Sequence, residues 1–219
     1  MGLDADLAAF KAEFERTAPA GRPALYDAKV EELRASFAAD KALKAGDTAP
    51  GFTLPDATGT PVSLSGLLAQ GPVVVTFYRG GWCPYCNIQL RAYQAVLPRI
   101  AELGASLVAI SPQQPDGSLS TAEMNALTFR VLSDVGNAAA RGFGLVYALA
   151  QEIRDALTSN GKALPGINGD DSWELPVPAT FVIAPDGRVS LAWLDVDYRR
   201  RLNPEAIIDA LEALRGSHA

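Results

Sequence analysis

Only two of the 219 residues are cysteine and only one, His218, is histidine. Three such side chains cannot build a Cys/His zinc site with four protein ligands from one chain, and a histidine second from the end offers no buried imidazole base. Basic residues are too few as well. Nineteen against twenty-five acidic side chains give a formal charge of −6, and the summed field of such a chain repels nucleic acid and anionic lipid. No run approaches the roughly 18 apolar residues of a membrane span. The opening MGLDADLAAFKAEF sets acids inside its apolar repeat and has no basic leader, so it is not a secretory signal. What remains is 48% hydrophobic and 20% charged, an ordinary globular composition. The reading is a soluble cytoplasmic protein of one main domain, with no metal and no organic cofactor, in which two thiols would be kept reduced unless they are working redox groups.

Leu3, Leu7, Phe10 and Phe14 recur at helical spacing, and Tyr26, Val30, Leu33 and Phe37 repeat it after a break rich in alanine and proline. Two amphipathic helices in a row follow from that pattern. The composition shifts near Lys44-Ala45-Gly46-Asp47, which divides a helical N-terminal arm, residues 1–45, from a main domain, residues 46–219. Within the domain, Pro72 to Tyr78 is a nearly continuous β-branched and aromatic run, the mark of a central strand covered on both faces. Leu90, Tyr93, Leu97, Ile100 and Leu103 then predict a helix stopped by Gly104, and Ser106 to Ile110 a second buried strand, which makes a βαβ unit. A polar loop is expected over 111–120, a short helix near 121–127 and a strand at 129–132. Thr180 to Ala184, the Pro185-Asp186-Gly187 turn and the alternating Val189, Leu191 and Trp193 predict a hairpin. The closing helix has Asn203 as its cap and Pro204 in first place.

The chemistry is clustered in Phe77-Tyr78-Arg79-Gly80-Gly81-Trp82-Cys83-Pro84-Tyr85-Cys86-Asn87. Both cysteines fall between a buried strand and an amphipathic helix, at the helix start. Free N–H groups and the positive end of the macrodipole there favour a thiolate, the nucleophilic form of cysteine. Arg79 is the nearest cation in sequence and can add to that stabilisation. Pro84 suits a first helical turn, where the missing N–H would have no partner anyway. Trp82 and Tyr85 read as supporting residues at the rim of the site, and Arg199-Arg200-Arg201 as a solvated face.

These motifs resemble the peroxiredoxin-like branch of the AhpC/TSA group in the thioredoxin-fold superfamily. The likeness runs over about residues 46 to 215, through Gly46-Asp47-x-Ala49-Pro50-x-Phe52-x-Leu54, the segment from Phe77 to Asn87, Phe129-x-Val131-Leu132-Ser133-Asp134, and Val177-Pro178-Ala179-Thr180-Phe181-Val182-Ile183. It implies an α/β protein of thioredoxin-like fold, a central mixed β-sheet flanked by helices, here with an N-terminal helical extension. Two departures stand out. In the peroxiredoxin register Cys86 falls on the peroxidatic cysteine, Cys83 replaces a threonine and Arg79 a proline. The arginine that helps those proteins hold peroxide is replaced by Pro178.

Two mechanisms share the same residues. A thiolate attacks a hydroperoxide and the resulting sulfenic acid condenses with the other cysteine, or Cys83 attacks a protein disulfide and Cys86 resolves the mixed disulfide. Position at the helix start favours Cys83 as nucleophile toward bulky disulfides, whereas the family register favours Cys86 toward peroxide. The resemblance implies a thiol-dependent peroxidase with a thioredoxin- or glutaredoxin-like reductant, and admits a homodimer. A protein disulfide oxidoreductase is the alternative, and a non-catalytic binding module the third reading. By the same resemblance the Val177-Pro178 bond is expected to be cis, with Val177 presenting free backbone beside the cysteines.

Overall fold

The computed structural model describes residues 2–216, so His218 lies outside it. Helices α1 (Leu3–Thr17) and α2 (Arg22–Ser36) open the chain, joined through Gly21 at φ 78°. A hairpin of β1 (Thr53–Pro55) and β2 (Pro61–Ser63) and the short α3 (Leu64–Leu68) lead into β3 (Val73–Phe77), α4 (Pro84–Glu102) and β4 (Ser106–Ser111). There follow α5 (Pro115–Met124), β5 (Arg130–Ser133), α6 (Ala138–Gly142), β6 (Val146–Ala148), α7 (Gln151–Ser159) and α8 (Leu164–Asn168). The chain ends with β7 (Glu174–Pro176), β8 (Ala179–Ile183), β9 (Val189–Leu194) and α9 (Pro204–Gly216).

Five strands form one mixed sheet in the order β5-β4-β3-β8-β9, with β4 and β5 parallel to β3 and the β8–β9 hairpin antiparallel. Every residue of β3 is buried, as its unbroken apolar run requires. Side chains alternate across the pleat. Val73, Val75 and Phe77 enter a cluster with Leu132, Phe143 and Phe181, while Val74 and Tyr78 enter another with Leu90 and Tyr93 of α4 and Ile207 and Leu211 of α9. Leu3 and Leu7 of α1 join the second cluster. Leu25 and Tyr26 of α2 rest on a third, built by Leu149, Ile153, Leu157, Leu164 and Leu175. The arm is therefore packed onto the domain through apolar contacts on two fronts.

A buried polar network ties α4 to the sheet. The Thr76 and Thr180 hydroxyls lie 3.0 Å apart, the Tyr93 hydroxyl is 3.1 Å from Thr180 Oγ1 and donates to the Leu202 carbonyl at 3.1 Å, and Gln89 Nε2 donates to Tyr93 at 3.0 Å. The three hydroxyls and the Gln89 amide N–H are partnered in this way, with Gln89 Oε1 left unpaired, and such a network fixes one arrangement of α4 on the sheet.

Three expectations need correction. The helix expected near 121–127 starts earlier, at Pro115, because its polar residues find partners inside: Ser118 meets the Ser133 hydroxyl at 2.8 Å and Thr121 donates to the Gly117 carbonyl at 2.7 Å. Arg201 is not on a solvated face but buried. No peptide bond among the described residues is cis, so Val177-Pro178 is trans. The chain runs from β7 into β8 with the Val177 N–H bonded to the Leu145 carbonyl at 2.8 Å and the Pro178 carbonyl accepting from the Asp195 N–H at 3.4 Å. The trans path partners both groups, and the free Val177 N–H that a docking edge needs is already taken.

Candidate active site

The site grows from the end of β3. Gly80 turns the chain at φ 140°, where a Cβ would lie 2.4 Å from Trp82 Nε1, and a Cβ on Gly81 would lie 2.2 Å from Thr121 Oγ1. Both glycines are thus required by close approach. The Gly81 N–H donates to Gln113 Oε1, and Asn87 Nδ2 donates to the Gly81 carbonyl at 2.8 Å. So held, the turn delivers Cys83 to the cap position of α4, where its carbonyl accepts from the N–H groups of Cys86 at 3.0 Å and Asn87 at 3.2 Å. Pro84 occupies the first helical position. Cys83 and Cys86 are both free thiols and both buried, 2% and 0% exposed.

Two guanidiniums serve the pair. Arg79 Nη1 points at Cys83 Sγ from 3.8 Å, and Arg201 Nη2 donates to Cys86 Sγ at 3.2 Å. Arg79 is clamped between aromatic faces, its guanidinium carbon 4.1 Å from the Tyr198 ring centroid and 4.9 Å from that of Trp82, an arrangement in which cation–π attraction supports a buried charge. The two thiols are driven apart. A hydrogen bond from Cys86, then the charges of Arg79 and Arg201, hold Cys83 well below the ordinary thiol range against its burial. Burial, followed by the hydrogen bond to Cys83 and the negative charge there, pushes Cys86 well above it. The two shifts run in opposite directions, with Cys83 the more readily ionised of the two sulfurs.

Access separates them too. A cavity of about 400 Å³ opens between the arm and the domain, and its wall includes Arg79, Trp82, Cys83, Pro84 and Tyr85 but not Cys86. Tyr85 packs edge-on against Phe10 of α1 at 4.9 Å and Tyr198 at 5.6 Å. Of the residues singled out in the sequence, Cys83, Cys86, Arg79, Trp82, Pro84 and Tyr85 converge here. Val177 and Pro178 are buried and line no part of the cavity, although β8, which follows them, pairs with β3 from Ala179 opposite Phe77. Sequence reasoning missed Arg201 and Tyr198. The one available signal was a triple arginine beside an aromatic residue, and nothing in it distinguishes the buried Arg201 from Arg199, largely covered and paired with Asp197, or from the exposed Arg200.

No cluster of metal-ligating side chains occurs among the described residues, and no helix there is long and apolar enough to cross a membrane. Comparison with known proteins agrees with the geometry. Residues 45–192 match the model of the AhpC/TSA family. A Mycobacterium tuberculosis protein named as a peroxiredoxin, Rv1608c, is 38% identical over 111 residues, 51% of this chain and 72% of its own. Chloroplastic peroxiredoxin Q of Sedum lineare is 30% identical over 164 residues, 75% of this chain and 73% of its own. The crystal structure of peroxidoxin BcpB from M. tuberculosis superposes with a TM-score of 0.63 at 29% identity, covering 79% of this chain and 99% of that one. With a mixed thioredoxin-like sheet, a pair of free cysteines at a helix start and a family match over most of its length, the chain belongs to the AhpC/TSA family of thioredoxin-fold peroxiredoxins and is a thiol-dependent peroxidase.

Proposed function

We propose that the peroxidase cycle runs through the Cys83-x-x-Cys86 pair with Cys83 as the attacking sulfur. One observation supports this above the others: Cys83 lines the cavity and Cys86 does not, and the electrostatics run the same way, drawing Cys83 towards the thiolate and pushing Cys86 away from it. The Cys83 thiolate attacks the terminal oxygen of a hydroperoxide, so that an S–O bond forms, the O–O bond breaks, and the leaving alkoxide or hydroxide takes a proton from water. Cys83 is now a sulfenic acid. Cys86 then attacks the Cys83 sulfur, and its own proton leaves with the hydroxyl as water. The dithiol loses two electrons in all and becomes an intramolecular disulfide.

Arg79 supports the first step by stabilising the thiolate. Arg201 supports the second, because Cys86 must approach a thiolate to attack and the guanidinium at 3.2 Å favours that form. Together they supply the positive charge that the family's arginine, absent at Pro178, gives elsewhere. A thioredoxin- or glutaredoxin-like donor restores the dithiol, which fits a cytoplasmic setting where thiols are kept reduced. Residues 1–45 act as an arm over the domain of residues 46–219 and must give way for a protein donor to reach the disulfide. The burial of Cys83 favours small oxidants over folded protein disulfides as the first substrate.

The test is one equivalent of hydrogen peroxide added to the reduced protein, followed by intact mass and a non-reducing gel. A monomer lighter by two hydrogens is expected. A sulfonic acid or a disulfide-linked dimer as main product would overturn a resolving role for Cys86.

A further inference from the structure

We infer that the N-terminal arm is the substrate-selecting element, and that the cavity it closes binds the organic body of a hydroperoxide whose peroxide group lies at Cys83 and Arg79. This rests on Cys83 being the attacking sulfur. The arm supplies Phe10, Phe14, Tyr26 and Leu33 to one wall, and Ile153 and Leu157 of α7 stand on the domain side. Those arm residues lie before residue 45, where the family match begins. Its volume of about 400 Å³ is within the roughly 300–1,000 Å³ of small-molecule sites, and far beyond the needs of hydrogen peroxide.

The wall is ordered rather than collapsed. Phe14 and Tyr26 stack with ring centroids 5.7 Å apart and planes 2° from parallel, which braces α1 against α2. Lys29 of α2 bonds Glu152 of α7 at 2.8 Å, which ties arm to domain near the mouth. At the inner end the chemistry changes. Arg79 is 5% exposed, and its Nε, like Trp82 Nε1, has no hydrogen-bond partner. Both atoms are sealed within the protein, so what the inner wall offers a substrate is the charge of Arg79 beside the Cys83 sulfur. A chamber with an aromatic and aliphatic wall, polar side chains such as Lys29 and Glu32 among its lining, and a guanidinium beside a nucleophilic sulfur at its inner end fits an amphipathic molecule entering with its peroxide group first. Each methylene buried against such a wall strengthens binding about fourfold, a gain hydrogen peroxide cannot share.

The experiment compares kcat/KM for cumene hydroperoxide and hydrogen peroxide in the parent, in Phe14→Ser and in Leu119→Ser, the last a half-exposed residue on α5 remote from the cavity. The parent is expected to favour the aromatic peroxide about tenfold or more, with the preference in KM. Phe14→Ser is expected to cut that ratio about tenfold through KM, and Leu119→Ser to leave it alone. A second readout does not depend on an altered arm: cumyl alcohol, the product, should slow alkylation of Cys83 in the reduced parent. Equal efficiency with the two peroxides, a ratio unmoved by Phe14→Ser, or no protection by cumyl alcohol would each overturn the inference while peroxidase turnover stands. Absence of turnover with either peroxide would instead overturn the reading beneath it, and the inference with it.

Discussion

Replacing Arg79 by methionine keeps most of the side-chain volume between Trp82 and Tyr198 and removes the charge facing Cys83. Unit charges about 4 Å apart, close to the 3.8 Å from Nη1 to Sγ, attract by about 4 kcal/mol at an effective dielectric of about 20. Arg201 remains, and water entering the space left by the guanidinium restores some solvation, so we allow half of this to be recovered. The remaining ~2 kcal/mol makes the ionisation constant of the Cys83 thiol about thirtyfold smaller. Iodoacetamide alkylation reads this directly, since only the thiolate reacts. The second-order rate of the reduced variant, followed at Cys83 by peptide mass spectrometry across a pH series, should fall short of the parent's by a ratio that grows towards about thirtyfold as pH drops far enough to protonate the parent thiol too, and should converge on the parent rate as pH rises past about 8.5. Arg79→Lys keeps a charge but not the planar fork, and should fall between. An unchanged rate in Arg79→Met, or faster labelling of Cys86 than of Cys83 in the parent, would refute the electrostatic account.

Two further outcomes follow from distances at the site. Gly81→Ala forces a Cβ against Thr121 Oγ1, an overpacking that costs about 1–3 kcal/mol, or about 2–4 °C in Tm for each kcal/mol in a chain of this size. Adding Thr121→Ala should recover part of the loss, and strictly additive Tm changes would show that the contact does not govern the turn. Arg201→Met should slow disulfide closure by about tenfold or more, as expected for losing a charged hydrogen bond worth about 1.5–3 kcal/mol, and should slow the first step with peroxide less than Arg79→Met does, because its charge acts on Cys83 less strongly than that of Arg79. Trapping of a longer-lived Cys83 sulfenic acid by dimedone measures this, and unaltered closure would remove Arg201 from the resolving step.

Legibility in the sequence tracked the length and regularity of the pattern. The unbroken run of β3, the apolar period of α4 and the 3.6-residue repeats of α1 and α2 each bury a continuous face, and each was readable. Residues 138–176 fold into three-residue strands β6 and β7 and short helices α6, α7 and α8. Elements that short hold too few residues to display a period, and they form because Leu149, Ile153, Leu164 and Leu175 close on one another from distant points of the chain. The dithiol and Arg79 were legible because they are local, within one strand-turn-helix segment. Arg201 was not, since it is 115 residues from Cys86 and reaches it only because the Tyr93 hydroxyl pins the adjoining Leu202 carbonyl. The bond before Pro178 was misread for a related reason: its geometry is set by partners at Leu145 and Asp195, neither of which its own neighbours in sequence disclose.

The central claim is that Cys83 attacks and Cys86 resolves, and a burst measurement on the two serine variants tests it most directly. Each reduced variant is mixed with one equivalent of cumene hydroperoxide in stopped flow, and sulfenic acid is counted by mass spectrometry. Cys86→Ser should react once at close to the parent rate and stop at a Cys83 sulfenic acid, because a hydroxyl cannot close the disulfide. Cys83→Ser should give no burst, its remaining thiol being sealed and protonated. A stoichiometric burst in Cys83→Ser with none in Cys86→Ser would contradict the account and make Cys86 the attacking sulfur.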